Sequence, residues 1–242
     1  MSTSTVEPAG VANAAPPAAE DLFSLARRAV AAREASLGKR GTFTGSRRLL
    51  ATGAWRGPRD AALSYVESAD LAALGGWAAA RAAGANAVVG DPAALAQADG
   101  ARLIARVPFR SGQTETERLG LLAALTAAGL PLWGVIPSPE GEPYGLDTLR
   151  FVALCRLHLP AVPHVVADVE LLGPRLAQMC FGFGADELFA QIVGERALRL
   201  GDNANNPVLT RKEAVTLIRG AGLTAAERVA RDRLEDALEE VT

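Results

Sequence analysis

The sequence has few of the residues that most often hold metals or act as nucleophiles. Its 242 residues include two cysteines, Cys155 and Cys180, and two histidines, His158 and His164. The cysteines fall on predicted helices, 25 positions apart, which matches neither a disulfide framework nor a metal-ligand spacing. We interpret both as small buried hydrophobic residues and expect no metal site.

Other signals of common protein classes are also missing. No apolar run approaches the ~18 residues that cross a membrane, and the N-terminus lacks the pattern of a signal peptide. A formal charge of -2 gives no bulk attraction to nucleic acid. No P-loop, H-E-x-x-H, G-x-G-x-x-G or Ser-His-Asp order is present, which argues against the familiar hydrolase, zinc-protease and nucleotide-loop classes. We therefore expect a cytoplasmic protein with no membrane span and no nucleic-acid partner.

Hydrophobic residues make up 49% of the chain but aromatic residues only 5%, so the apolar content is mostly Ala, Leu and Val. This composition is typical of helices packed on a parallel sheet. Residues 1–19 lack periodicity and are expected to be a disordered leader. Residues 20–228 are expected to form a single domain, and 229–242 a charged helical tail.

Short apolar segments alternate with helical ones along the chain, which predicts βαβ units and a parallel sheet. Periodicity alone leaves open whether this sheet is open or closed into a barrel. Helices are predicted at 20–38, 60–84 with a break at 75–76, 91–98, 114–128, 146–159, 173–183 and 210–222. Strands are predicted at 48–55, 86–90, 101–108, 132–137 and 163–170, and 184–189 is a short strand or a loop.

The glycine-rich segment 38–61 carries six basic residues. They could bind an anionic ligand or an acidic partner, or they could simply form a solvated, flexible segment. The six residues are Lys39, Arg40, Arg47, Arg48, Arg56 and Arg59.

Several ordered segments resemble the radical-SAM enzymes of the futalosine route to menaquinone, aminofutalosine synthase and dehypoxanthine futalosine cyclase. The segments are LFSLARRAVAAREASLGKRGTF (22–43), GQTETERLGLLAAL (112–125), GLDTLRFVALCRLHLPAVPHV (145–165), LLGPRLAQMCFGFGADEL (171–188) and LTRKEAVTLIRGAGLTAAERV (209–229). The resemblance implies an α/β fold that is TIM-barrel-like: a partial or degenerate β/α barrel of the radical-SAM type, with extra N- and C-terminal helices.

The family's chemistry depends on a CxxxCxxC loop after the first barrel strand, where three thiolates hold a 4Fe-4S cluster that binds SAM. The corresponding segment of this chain is TGAWRGPRDA (52–61), which has no cysteine. Because the cluster needs those thiolates, the chain lacks the 4Fe-4S ligands, and we expect neither SAM binding nor any other cofactor.

In a β/α barrel, ligands bind at the C-terminal ends of the strands. The ligand-binding candidates there are Arg110, Ser138, Asp168, Glu170 and Asp186. If Asp168 and Glu170 alternate along one strand they point to the same side, as acid/base groups or hydrogen-bond acceptors. They could equally be ordinary polar groups at a strand end. His164 opens its strand and is expected to be structural, and no catalytic residue is assigned.

Two functional hypotheses follow. The first is a cluster-less radical-SAM-like barrel, an accessory or partner subunit or intermediate-binding protein of menaquinone biosynthesis by the futalosine pathway. Its partners would be a menaquinone-pathway enzyme, a second copy of the chain, or a small-molecule ligand. The alternative is a non-radical enzyme that uses Asp168, Glu170 and Arg110 for acid/base chemistry on a small metabolite.

Overall fold

The computed structural model describes residues 20–59, 61–141, 145–193, 208–229 and 238–240. Strands and helices alternate through most of this range. The strands are β1 (Arg40–Leu49), β2 (Trp55–Arg56), β3 (Leu63–Glu67), β4 (Ala87–Gly90), β5 (Arg102–Phe109), β6 (Leu132–Pro139), β7 (His164–Asp168), β8 (Glu187–Val193), β9 (Val208–Thr210), β10 (Thr224–Arg228) and β11 (Leu238–Glu240). The helices are α1 (Leu22–Leu37), α2 (Trp77–Ala82), α3 (Pro92–Leu95), α4 (Glu115–Ala127), α5 (Gly145–His158), α6 (Val169–Phe181) and α7 (Arg211–Gly220).

Seven of these strands form a closed parallel barrel. Their order is β1, β3, β4, β5, β6, β7 and β8, and β8 pairs back with β1. The predicted TIM-barrel-like fold of the radical-SAM type is therefore confirmed, and the sheet is closed.

Strand β1 has three parallel neighbours, because its two halves have different partners on one side. Residues 42–45 pair with β8, while residues 40–43 pair with β10 on the opposite side. Further along, residues 46–49 pair with β3. Since β8 closes the barrel on one side, β10 and β3 share the other. The N-terminal end of the barrel is called the floor below, and the C-terminal end is called the mouth.

The helix ends follow local capping signals. Asp21 accepts hydrogen bonds from the backbone of Phe23 and Ser24 at the start of α1. The capping box predicted at Thr114 is present at the start of α4, and a second one opens α7 at Thr210. These polar caps satisfy backbone N–H groups that have no partner within the helix.

The core has two layers, as the alternation of side chains along each strand requires. Residues that point outward pack beneath the helices. Those that point inward fill the barrel, so that it is a packed core and not a pore. The inner residues are Leu63, Tyr65, Ala87, Val89, Ile104, Ile136, Val166 and Phe189.

Two predicted elements differ from the structure on the N-terminal side. The segment 60–84 was expected to be helical, but Leu63–Glu67 is strand β3 and only Trp77–Ala82 is an α-helix. Residues 63–66 are buried on both faces of the sheet, and this packing outweighs the helical preference of the alanines around them. The strand expected at 48–55 instead begins at Arg40 and turns back after Leu49 into β2.

The C-terminal expectation was also partly wrong. Residues 238–240, inside the tail that was expected to be helical, form β11, which pairs antiparallel with β10. Strand β10 pairs with β1, and Ala225 and Ala226 are buried there, so this packing outweighs the helical preference of the two alanines. The predicted leader, 1–19, lies outside the described residues, as does most of the predicted tail, 229–242. No helix among the described residues has the length and hydropathy needed to cross a membrane.

Candidate functional site

The mouth of the barrel is organised around Arg106 of β5. On this strand Ile104 points into the core, and Arg106, two residues later, lies one layer nearer the mouth. Its Nη2 donates to Oε1 of Glu67 at 2.9 Å, and its Nη1 lies 3.2 Å from Oδ2 of Asp168. Arg106 therefore links the C-terminal ends of β3 and β7 across the barrel.

Asp168 ends β7 and caps α6, accepting a hydrogen bond from the backbone N–H of Glu170. Its side chain is 4% exposed. Burial raises the pKa of Asp168 to about 6, although Arg106 and the capping bond act in the opposite direction. For Arg106, burial disfavours the charged form, but Asp168 and Glu67 outweigh it and raise its pKa. Asp168 is thus a carboxyl group whose protonation changes close to neutral pH.

Tyr65 of β3 and Arg48 of β1 lie on the side of the mouth next to the cluster of Arg106, Glu67 and Asp168. The pKa of the Tyr65 phenol is raised, first by burial and then by the negative charges of Asp168 and Glu67. Arg48 donates to Asp70 at 2.9 Å. The mouth is therefore lined by paired charges of both signs above an apolar interior.

The hairpin formed by β1 and β2 stands where the resemblance would place the cluster loop. Its tip is a turn in which Leu50 and Ala54 share a backbone hydrogen bond. Arg47 stacks over the ring of Trp55 at 4.1 Å, and Arg56 reaches Glu170, with 3.4 Å between Nη1 and Oε1. This short hairpin is thus tied to the start of α6 beside the mouth.

The chain's own residues do not fit a 4Fe-4S cluster at this position. The segment that connects β1 to β3 contains no cysteine. Cys155 and Cys180 lie on α5 and α6 and are fully buried in the layer beneath the helices. Burial raises the pKa of both thiols, that of Cys180 to about 12, so neither is available as a thiolate ligand. No group of three potential ligand side chains comes together among the described residues.

The structure separates the five predicted ligand-binding residues. Asp168 lies in the mouth, and Ser138 lies near the end of β6. Arg110 is 74% exposed on the rim and pairs with Glu140. Glu170 is not on the strand with Asp168, as the alternation argument assumed, because β7 ends at Asp168 and Glu170 belongs to the first turn of α6.

The prediction that Asp186 lies at the mouth was wrong. Asp186 directly precedes β8 and is therefore at the floor. Its carboxylate accepts hydrogen bonds from Arg156 and from the backbone N–H of Val165 at 2.8 Å, and it lies 2.5 Å from Nδ1 of His164. His164 opens β7 at the same end, where a structural role was expected.

Sequence reasoning missed Arg106, Glu67 and Tyr65. The sequence signal for this site was in RLIARVPF (102–109). There Arg106, a charged residue at an inward-facing position, interrupts an apolar strand. Glu67 and Tyr65 were missed because their strand was taken for a helix. A buried charge in a barrel strand needs a partner on a neighbouring strand, so Arg106 pointed to a carboxylate across the barrel.

The comparisons with known proteins agree with this geometry. No protein-family model matches the chain. Aminodeoxyfutalosine synthase of Thermus thermophilus is 33% identical over 84 residues, which cover 35% of this chain and 23% of that protein. The match thus spans less than a quarter of the relative's length.

Two solved structures share the fold. Methylornithine synthase superposes with a TM-score of 0.57 at 13% identity, covering 88% of this chain and 89% of that one. The FeFe-hydrogenase maturase HydG from Carboxydothermus hydrogenoformans gives a TM-score of 0.53 at 13% identity, covering 85% of this chain and 74% of that one. The chain therefore has a radical-SAM-type barrel and a sequence link, over a limited segment, to a futalosine-pathway enzyme.

Proposed function

We propose that this protein is a cluster-less radical-SAM-like barrel that serves menaquinone biosynthesis by the futalosine pathway as a cytoplasmic accessory protein. It would bind a pathway enzyme or one of the pathway's intermediates instead of catalysing a radical step. The observation that carries the proposal is the hairpin of β1 and β2, which stands without a cysteine where the family's cluster loop would lie. The segment shared with aminodeoxyfutalosine synthase supports the pathway.

The absence of a cluster is tested by anaerobic reconstitution with iron and sulfide, followed by absorbance near the visible charge-transfer bands of iron-sulfur clusters. The control is the Thermus thermophilus synthase, reconstituted in parallel. We expect the control to become coloured and this chain to remain colourless. Stoichiometric uptake of iron and sulfide by this chain would overturn the proposal.

The accessory role is tested by mixing the purified chain with the purified aminodeoxyfutalosine synthase of its own organism. We expect co-sedimentation in analytical ultracentrifugation, or a change in the synthase's turnover that saturates with added chain. If neither occurs with the synthase or with the pathway's cyclase, the chain is not a partner subunit of either enzyme, whatever the outcome of the reconstitution.

A second candidate function rests on Asp168. A buried carboxyl group with a pKa of about 6 beside a guanidinium suits proton transfer to or from a small metabolite. Arg110, which was expected to take part, pairs with Glu140 on the rim instead. Under this hypothesis, Asp168→Asn abolishes a turnover that Arg110→Gln retains. A folded Asp168→Asn variant with full turnover would exclude it.

A further inference from the structure

A cavity of about 470 Å³ lies in the outer layer of the barrel, between α3 and α4 and against β5. Val107, which lines it, points outward beneath the helices, so the cavity is outside the barrel wall and is not part of the mouth. All of its lining residues except Asp91 and Arg106 are Ala, Pro, Leu or Val. Its size and apolar lining are those of a site for a small molecule.

The cavity exists because α3 is short. Helix α3 has four residues and is about 6 Å long, whereas the 13 residues of α4 extend about 20 Å. One helical turn cannot cover the outer face of β5 alongside a helix of that length. The space beside α3 is therefore left unfilled by the described residues, and Ala93 and Ala96 are too small to occupy it.

The wall formed by α4 lacks the charged residues that usually cover a surface helix. Ala124 and Ala128 are exposed there, and Leu125 is buried beside them. No charged residue occurs between Arg118 and Glu140, so the later turns of α4 present no charge to the cavity. A ligand that covers this apolar surface removes it from water, which is favourable.

Of the two charged lining residues, only Asp91 is available to a ligand. Arg106 is held by Glu67 and Asp168 in the mouth. Oδ1 of Asp91 accepts a hydrogen bond from the backbone N–H of Ala93 at 2.8 Å, and within the described ranges its carboxylate forms no ion pair. A carboxylate accepts several hydrogen bonds, so Asp91 can still accept one from a ligand. Its charge favours a cation and disfavours an anion.

We propose that this cavity binds a small hydrophobic molecule that carries an ammonium group. Its apolar body lies between α3 and α4, and its ammonium group donates to the carboxylate of Asp91. A cavity of about 150 Å³ lined by apolar side chains holds one benzene molecule, so this larger space takes a body of about two fused rings. The site depends neither on the accessory role proposed above nor on proton transfer by Asp168.

Isothermal titration calorimetry on the full chain tests the proposal with probes that share one ring system: 2-naphthylmethylamine, 2-naphthalenemethanol and 2-naphthoate. At neutral pH they carry an ammonium, a hydroxyl and a carboxylate. We expect saturable binding of the amine with a Kd below about 1 mM, as a body of this size implies. The alcohol should bind about threefold more weakly, because an ion pair with an exposed carboxylate contributes little, and the naphthoate should bind weakest. No saturable binding of the amine, or tighter binding of the naphthoate, overturns the proposal.

Filling the cavity locates the binding. Ala124→Trp places an indole ring in the cavity and should weaken binding of the amine at least about tenfold. The matched control is Ala123→Trp, at an exposed position of the same helix that does not line the cavity. It should leave the Kd within about twofold, and circular dichroism checks that both variants are folded. Equal losses in the two folded variants would place the binding elsewhere and overturn the site.

Asp91→Asn tests the charged contact, because asparagine keeps the cap of α3 but removes the charge. The amine and the alcohol should then bind equally, whereas Asp99→Asn, at an exposed carboxylate outside the cavity, should keep the preference for the amine. A preference that survives Asp91→Asn overturns the contact. Sedimentation of the free chain tests a different occupant. If the chain dimerises, Ala124→Trp makes it monomeric and no probe binds, the cavity belongs to an interface between two copies and the proposal is wrong.

Discussion

Replacing Asp168 by asparagine should stabilise the protein at neutral pH. The pKa of Asp168 rises from 3.8 to about 6 on folding, chiefly because the carboxylate is buried. The native state therefore binds this proton more tightly than the unfolded chain does. Between about pH 4 and pH 6 the proton is bound only in the native state, so the stability from this group falls as pH rises through that window and stays low above it.

The difference between the two pKa values corresponds to about 3 kcal/mol, the cost of keeping Asp168 ionised at pH 7.5. Asparagine resembles the protonated side chain and can still cap α6 by accepting from Glu170. We therefore expect Asp168→Asn to be more stable than the wild type by up to about 3 kcal/mol at pH 7.5 and equally stable at pH 4. Urea unfolding of both proteins at several pH values measures this difference.

The control is Asp147→Asn. Burial acts against ionisation of Asp147, but hydrogen bonds from Ser111 and Arg118 outweigh it and lower its pKa. Its replacement should therefore destabilise the protein at pH 7.5 and have less effect at acid pH, the opposite pattern. If Asp168→Asn is instead less stable than the wild type at pH 7.5 and recovers at pH 4, the ion pair with Arg106 dominates and the reasoning is refuted.

Three further predictions concern the floor, a helix cap and the thiols. Glu187→Gln removes the buried partner of Arg228, so the free energy of unfolding should fall by about 3–5 kcal/mol in urea titrations. Thr210→Ala deletes the capping box of α7 and should lower the free energy of unfolding by about 1 kcal/mol, with little effect on the circular dichroism of the folded protein. Cys155 and Cys180 should not react with Ellman's reagent in the native protein, and both should react in denaturant.

Each of these outcomes has a contrary result. The control for Glu187→Gln is Glu227→Gln, which removes one partner of the more exposed ion pair with Arg211. It should lower the free energy of unfolding by far less. If both variants lost the same free energy of unfolding, the buried ion pair of Glu187 with Arg228 would contribute no more to stability than the more exposed pair does. A Thr210→Ser variant should keep most of the stability that Thr210→Ala loses. Rapid reaction of either native thiol would contradict its burial on α5 or α6.

Local signals predicted part of the fold well. The capping box at Thr114 needs only residues three apart, and α4 begins where the sequence indicated. Strand β3 could not be predicted in this way, because its alanine-rich surroundings favour a helix and only burial on both faces makes it a strand. The same holds for β10, whose partner is the first strand of the chain.

The candidate site was harder to predict than the fold. Asp168 was found because it ends a strand. Glu170 and Asp186 were misplaced, because errors of two to four residues in a strand boundary move a side chain to another element or to the other end of the barrel. Arg106 depends on Glu67 and Asp168, which are distant in sequence. Only closure of the barrel brings these three side chains together.

The threefold pairing of β1 also shapes how the chain must fold. Thr42 meets Glu187 after a separation of 145 residues and Arg228 after 186. Contacts this far apart close large loops, which slows folding. During synthesis β1 can pair with β3 early, but its first half stays an open strand edge until almost the whole chain has emerged. Over that interval residues 40–45 are the segment most exposed to wrong pairing with other chains.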